Sequence, residues 1–149
     1  MVDARILNTL RKKSRGIGIM EDSKSILVMN AATVWRLEKR PRAAKPKESI
    51  VSEETKVSAA QFAILEPSCN QLKIDNMTVE MGGLDTVELI GPDGSARLDW
   101  DYLDIAKRLY GDVSFHMPAL GTLPPWDKAV LVVSGDEIVA AIGVLTRRP

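Results

Sequence analysis

Most side chains in this chain that could do chemistry are cations. Residues 1–47 hold twelve Lys/Arg against four acids, a net charge of +8. Residues 48–149 hold eight Lys/Arg against sixteen acids, a net of −8. Arg5, Arg11, Lys12, Lys13 and Arg15 fall close together, and Arg40 and Arg42 follow in the run 39–47, KRPRAAKPK. Clustered cations attract anions, and nucleic acid is the commonest such partner because each phosphate contact releases condensed counterions. A basic face that meets only solvent has the same composition. So does one that docks on the acidic half of a neighbouring copy.

The other reactive groups point away from catalysis. Asp99, Asp101 and Asp104 form a carboxylate cluster, but two-metal phosphoryl chemistry needs acids converging from different elements. These three stand on the first turn of one helix, where they cap it and suit its dipole. The single histidine, His116, shows no orienting partner in sequence, so it reads as a sheet-face side chain, not a general base. The single cysteine, Cys69, reads as an incidental or buried thiol. It also excludes a disulfide framework and any multi-cysteine zinc site. Gly16-Ile17-Gly18 and Gly82-Gly83 are not dinucleotide fingerprints, and no phosphate-loop motif is present. Trp35, Trp100 and Trp126 read as core or interface anchors. We therefore expect no enzyme, no metal and no cofactor.

The 149 residues are 45% hydrophobic and 27% charged with a formal net charge of zero, the composition of a globular chain. No apolar run reaches the roughly 18–20 residues of a membrane span, and no apolar stretch follows the first basic residues as in a signal peptide. The expectation is a single domain over 1–149 in the cytoplasm, with an exposed basic loop at about 39–49.

The elements that must position these groups follow from periodicity. Asp3 followed by Ile6, Leu7 and Leu10 predicts a helix over about 4–15, ended by Gly16, with Arg5, Arg11, Lys12, Lys13 and Arg15 off its apolar stripe. Strands are expected near 17–20, 25–29 and 33–39. Two prolines and no large apolar residue make 39–47 a loop. A hairpin with a two-residue turn at Asp75-Asn76 places Leu72, Ile74, Met77, Val79 and Met81 on one face. Another strand runs through Val87 and Leu89 to a tight turn at 91–94, with Ala96 and Leu98 inward on the return. A second helix spans 100–110, with Lys107 and Arg108 in its last turn. An alternating strand at 113–117 and a closing hairpin around 134–137 complete the order. This is α+β: strand-rich antiparallel sheets with two main helices. The expected core is Ile6, Leu10, Ile19, Leu27, Val34, Ile74, Val79, Leu89, Leu98, Leu103, Leu109, Phe115, Leu131 and Val139.

Residues 95–117 read SARLDWDYLDIAKRLYGDVSFHM. A proline loop follows, then AVLVV and IVAAIGVLTRR. This closing third resembles the closing half-domain of a DNA sliding clamp of the bacterial or phage type. In that family a strand leads into a Tyr-Leu-containing helix, a Gly-Asp turn, an alternating strand and a closing hairpin. The first helix with its strands is similar to a second copy of the unit. The family's chains carry several such domains, where this chain has the length of one. The resemblance implies a duplicated half-domain fold and a non-enzymatic, ring-forming processivity factor of DNA replication, with its helices toward the duplex. It also implies sequence-independent backbone contacts from Arg5, Arg11, Lys12, Lys13, Arg15, Lys107 and Arg108. Arg40 and Arg42 join them from the basic loop.

Two other readings compete with the clamp. One is a β-rich homo-oligomeric assembly module without nucleic acid, which pairs through its strand edges. The other takes 128–143 as similar to the final strands of a PUA-type RNA-binding module. A homo-oligomer is expected on the first two readings, and no membrane partner on any.

Overall fold

The computed structural model describes residues 4–13, 17–21, 25–38, 53–92 and 94–145. The fold is α+β, with three α-helices and nine strands among the described residues. Their contacts divide the chain into two compact units, Met1–Ile64 and Leu65–Pro149. The expected basic loop at 39–49 lies outside the described residues.

The first unit opens with helix α1 (Ala4–Lys13), which buries Ile6, Leu7 and Leu10 as their spacing requires. Each such burial contributes about 1.5–3 kcal/mol. An antiparallel meander follows: β1 (Gly18–Glu21), β2 (Ser25–Met29) and β3 (Thr33–Glu38). All five residues of β2 are buried, which explains why its SILVM run does not alternate.

Asn30 closes the β2–β3 turn. Its Oδ1 accepts from the Ala32 and Thr33 amides at 3.0 and 2.8 Å and from the Thr33 hydroxyl at 2.7 Å. Thr33 Oγ1 in turn accepts from the Trp35 indole N–H at 2.6 Å, which holds the fully buried Trp35. Asn30 Nδ2 donates to the Leu10 carbonyl at 3.3 Å, one of the last carbonyls of α1 that has no partner within the helix. One side chain thus ties the end of α1 to the meander.

Two helices were expected, but the unit also contains α2 (Glu53–Ala63). Thr55, Ala59 and Phe62 recur at i, i+4 and i+7 and are buried. No Gly or Pro occurs between 51 and 66, which is the local signal for it. The stripe is hard to read because it contains a threonine and an alanine, while Val57 on the other face and Ile64 just past the helix are 53% and 79% exposed. A Cβ on Gly18 would lie 2.5 Å from Thr55 Oγ1, so the glycine lets β1 approach α2 closely.

The second unit is a six-stranded antiparallel sheet in the order β9-β8-β7-β4-β5-β6. Its strands are β4 (Pro67–Met81), β5 (Leu84–Gly91), β6 (Gly94–Asp99), β7 (Ser114–Pro118), β8 (Ala129–Ser134) and β9 (Glu137–Gly143), with helix α3 (Trp100–Tyr110) between β6 and β7. The expected turn at Asp75-Asn76 is absent. The chain runs straight through as one long strand, and its register shifts between Asp75 and Thr78. The turn comes instead at Gly82-Gly83, both at positive φ (59° and 84°), the conformation a two-residue primed hairpin requires.

The core changes as a result. Ile74 pairs with Leu89 but is only half-buried, and Val79 pairs with Thr86 on the other face and is exposed. Leu109 is also half-buried. The other expected core residues are buried, among them Leu89, Leu98, Leu103 and Leu131 at 0% exposure.

β4 pairs with β7 through its first half and with β5 through its second. At the changeover a Cβ on Gly91 would lie 2.8 Å from Leu72 Cδ2 and 3.2 Å from the Gln71 carbonyl. Glycine is the residue that lets β5 cross there. Just beyond β9 the Leu145 amide donates to the Arg97 carbonyl of β6 at 2.9 Å, so the chain after β9 meets β6 there.

Helix α3 begins where the carboxylates suggested. Asp99 Oδ1 accepts from the Asp101 amide at 2.9 Å, and Gly111 (φ 72°) ends the helix with its N–H on the Lys107 carbonyl at 3.0 Å. Its buried stripe is Tyr102, Leu103, Ile105 and Ala106, shifted toward the N-terminus from the expected Leu103, Ala106, Leu109 and Tyr110. The Tyr110 hydroxyl, half-buried, donates to the Val139 carbonyl at 3.0 Å.

Candidate nucleic-acid interface

Helix α1 concentrates the cations. Between 4 and 13 it has four, Arg5, Arg11, Lys12 and Lys13, and no acid. At 100° per residue Arg5 and Lys12 fall on the side opposite Ile6, Leu7 and Leu10, and both are exposed. Arg11 and Lys13 fall at the two borders of the apolar stripe and are half-buried. Side chains of this length can cover the edges of a stripe with their alkyl stems.

Arg11 Nη1 donates to Asn8 Oδ1 at 2.9 Å, one turn back, which orients its guanidinium. Arg11, Lys12 and Lys13 in the last turn also suit the negative end of the helix dipole. The result is an amphipathic helix docked by its apolar stripe, with a cationic outer surface. Arg15, Arg40 and Arg42 lie outside the described residues.

Helix α3 is different. Lys107 and Arg108 are exposed, as a phosphate contact needs, and each has a partner on its own helix. The Lys107 Nζ sits 5.8 Å from the centroid of the Trp100 ring, and Arg108 Nε pairs with Asp104 Oδ2 at 3.1 Å. That pair is open to solvent and worth about 0–1 kcal/mol. The acids Asp101 and Asp104 cancel Lys107 and Arg108 over the helix, so its surface carries little net field. The nine expected contact residues thus separate: four form one cationic surface on α1, two sit on a charge-balanced helix of the other unit, and three are not described.

The remaining candidates fall out clearly. Asp99 is buried as a helix cap, and among the described residues no group of three or more His, Cys, Asp or Glu side chains could hold a metal. Cys69 is exposed, not buried. Trp35 is core, Trp126 is half-buried, and Trp100 is 37% exposed under Lys107.

His116 does have the orienting partner that its sequence neighbourhood lacks. Its Nδ1 lies 2.8 Å from the Ser68 carbonyl and its Nε2 lies 2.9 Å from Ser114 Oγ. The Ser-x-His spacing is visible in sequence and places both side chains on one face of a strand. The carbonyl comes from a residue 48 positions away, where the β4–β7 register shifts between Pro67 and Gln71.

Set against protein-family models, curated proteins and solved structures, the chain finds no match in any of the three. Its functional reading rests on this geometry.

Proposed function

We propose that this chain is a cytoplasmic, DNA-associated scaffold of sliding-clamp type that holds duplex DNA by its backbone. The observation that carries the reading is α1: four cations and no acid on a helix whose opposite stripe is buried. Such a surface meets phosphates without reading bases. Weak, salt-sensitive contacts suffice where retention comes from topology, and the DNA contact itself makes and breaks no covalent bond. Among the described residues the two units are not copies of one element order: the first has two α-helices and three strands, the second one α-helix and six strands, so the reading rests on the cations of α1 and not on a duplication.

Self-association belongs to the same reading. The unit 1–64 carries a net charge of +6 and the unit 65–149 a net of −6. The basic unit of one copy therefore attracts the acidic unit of another, and a heterologous contact of this kind closes into a ring where the rotation allows.

The test is the salt dependence of duplex binding. Each neutralised phosphate contributes about −0.9 to the slope of log K against log salt. Changing Arg11, Lys12 and Lys13 together to Ala is expected to flatten that slope by up to about 3 units, equally on duplexes of unrelated sequence. If the unaltered chain binds no duplex in a salt-sensitive way at about 50 mM salt, the reading is wrong and the assembly-module reading replaces it.

A further inference from the structure

Ser114, His116 and the Ser68 carbonyl form a chain of hydrogen bonds that the DNA reading does not use. The carbonyl can only accept, so the proton of the neutral imidazole sits on Nδ1 and donates to it at 2.8 Å. That leaves the Nε2 lone pair bare. Ser114 Oγ–H is then the donor to Nε2 at 2.9 Å. Hydroxyl, base and orienting acceptor stand in the order that activates a serine nucleophile.

The scaffold around the three is rigid. Phe115, between Ser114 and His116, is buried on the other face of β7, and Leu131 and Val133, paired with His116 and Ser114, are buried too. The register shift in β4 brings the Ser68 carbonyl to the ring, and such irregularities often re-aim groups at functional sites. Gln71 is directly opposite His116 in register and exposed, so its carboxamide is on the same face as the imidazole. Its N–H groups are of the type that stabilises a developing oxyanion.

We propose that Ser114 is a nucleophile activated by His116, and that the second unit cleaves small activated acyl esters through it. Ser114 Oγ bonds to the ester carbonyl carbon as its proton passes to His116 Nε2. The bond from that carbon to the leaving oxygen then breaks, and the alcohol departs with the proton. Water attacks the acyl-serine in the same way, giving its proton to Nε2. The acyl–Oγ bond breaks, the acid is released and Ser114 recovers the proton. Ester and water become acid and alcohol, with no oxidant and no cofactor.

The experiment treats the full chain with a fluorophosphonate probe, maps the adduct by mass spectrometry, and measures p-nitrophenyl acetate hydrolysis in parallel. Ser114 is expected to carry the adduct, and Ser114→Ala to abolish both signals. His116→Gln, which keeps a polar side chain but no base, is expected to slow labelling by about 10²-fold or more. Cys69→Ala, which removes the neighbouring exposed thiol, is expected to leave labelling unchanged. No adduct, an adduct on Cys69, or equal hydrolysis by Ser114→Ala would overturn the proposal and leave the bonds as a pin between β4 and β7. Should His116→Gln fail to fold, the near-isosteric Ser114→Ala decides the question alone. The salt slope of duplex binding is read separately and does not depend on either result.

Discussion

Arg5 and Lys12 are seven residues apart and share the outward side of α1, so the phosphate reading predicts a specific inequality between side chains. Changing both to Ala is expected to flatten the salt slope by about 2 units. The same double change at Lys107 and Arg108 is expected to alter it by less than about 1, because Asp101 and Asp104 balance the charge of their helix, whereas α1 has no acid. Duplex titrations over a range of salt measure both, and equal effects from the two pairs would remove α1 as the contact surface. Asn30 belongs to the same scale. Asn30→Ala removes four hydrogen-bonding contacts and leaves the Leu10 carbonyl without this cap. A loss of about 2–3 kcal/mol in denaturant unfolding is expected.

At the scale of elements, α2 and α3 depend on different devices. Phe62 is 2% exposed and is the largest side chain by which α2 docks in its unit, with the Arg36 guanidinium 5.6 Å from its ring centroid. Phe62→Ala is expected to cost about 3–5 kcal/mol, read as a lowered denaturant midpoint, because a buried ring leaves a cavity. Helix α3 depends on its cap. Asp99→Ala is expected to cost about 0.5–2 kcal/mol and to leave the salt slope of DNA binding untouched, since Asp99 is buried as the cap of its own helix. A change in that slope would show that the acids of α3 modulate the basic surface.

For the whole molecule the relevant quantity is the separation of charge, +6 on one unit and −6 on the other. Attraction between unlike units of two copies is screened over about 10 Å at 0.1 M ionic strength. Sedimentation at matched protein concentration is therefore expected to show a larger mass at about 20 mM salt than at about 500 mM, where the Debye length falls below about 5 Å. The same low mass at both would exclude charge-driven assembly. Among the described residues no helix is long and apolar enough to cross a membrane.

Some of this architecture is already determined by local sequence. Helix α3 lies between a capping aspartate and a glycine at positive φ, and both ends are where those residue types dictate. The apolar stripe of α1, the meander β1–β3 and the closing β8–β9 hairpin follow from periodicity and turn residues, which act over a few positions. So does the cationic composition of α1. What required the tertiary structure depends on partners far away in the chain. Asp75-Asn76 has turn chemistry, but β4 continues through it because β5 pairs with it on both sides of the register shift. The stripe of α2 is legible only once β1, with Gly18, is seen against Thr55. That Lys107 stands over Trp100 and Arg108 beside Asp104 shows only once the helix is formed. His116 had no orienting group within its own strand. The Ser68 carbonyl, 48 residues away along the chain, reaches it only because β4 and β7 pair out of step there. Local pattern sets which face of an element is apolar. Which particular atoms meet across two elements is set by register, and register is decided by the whole sheet.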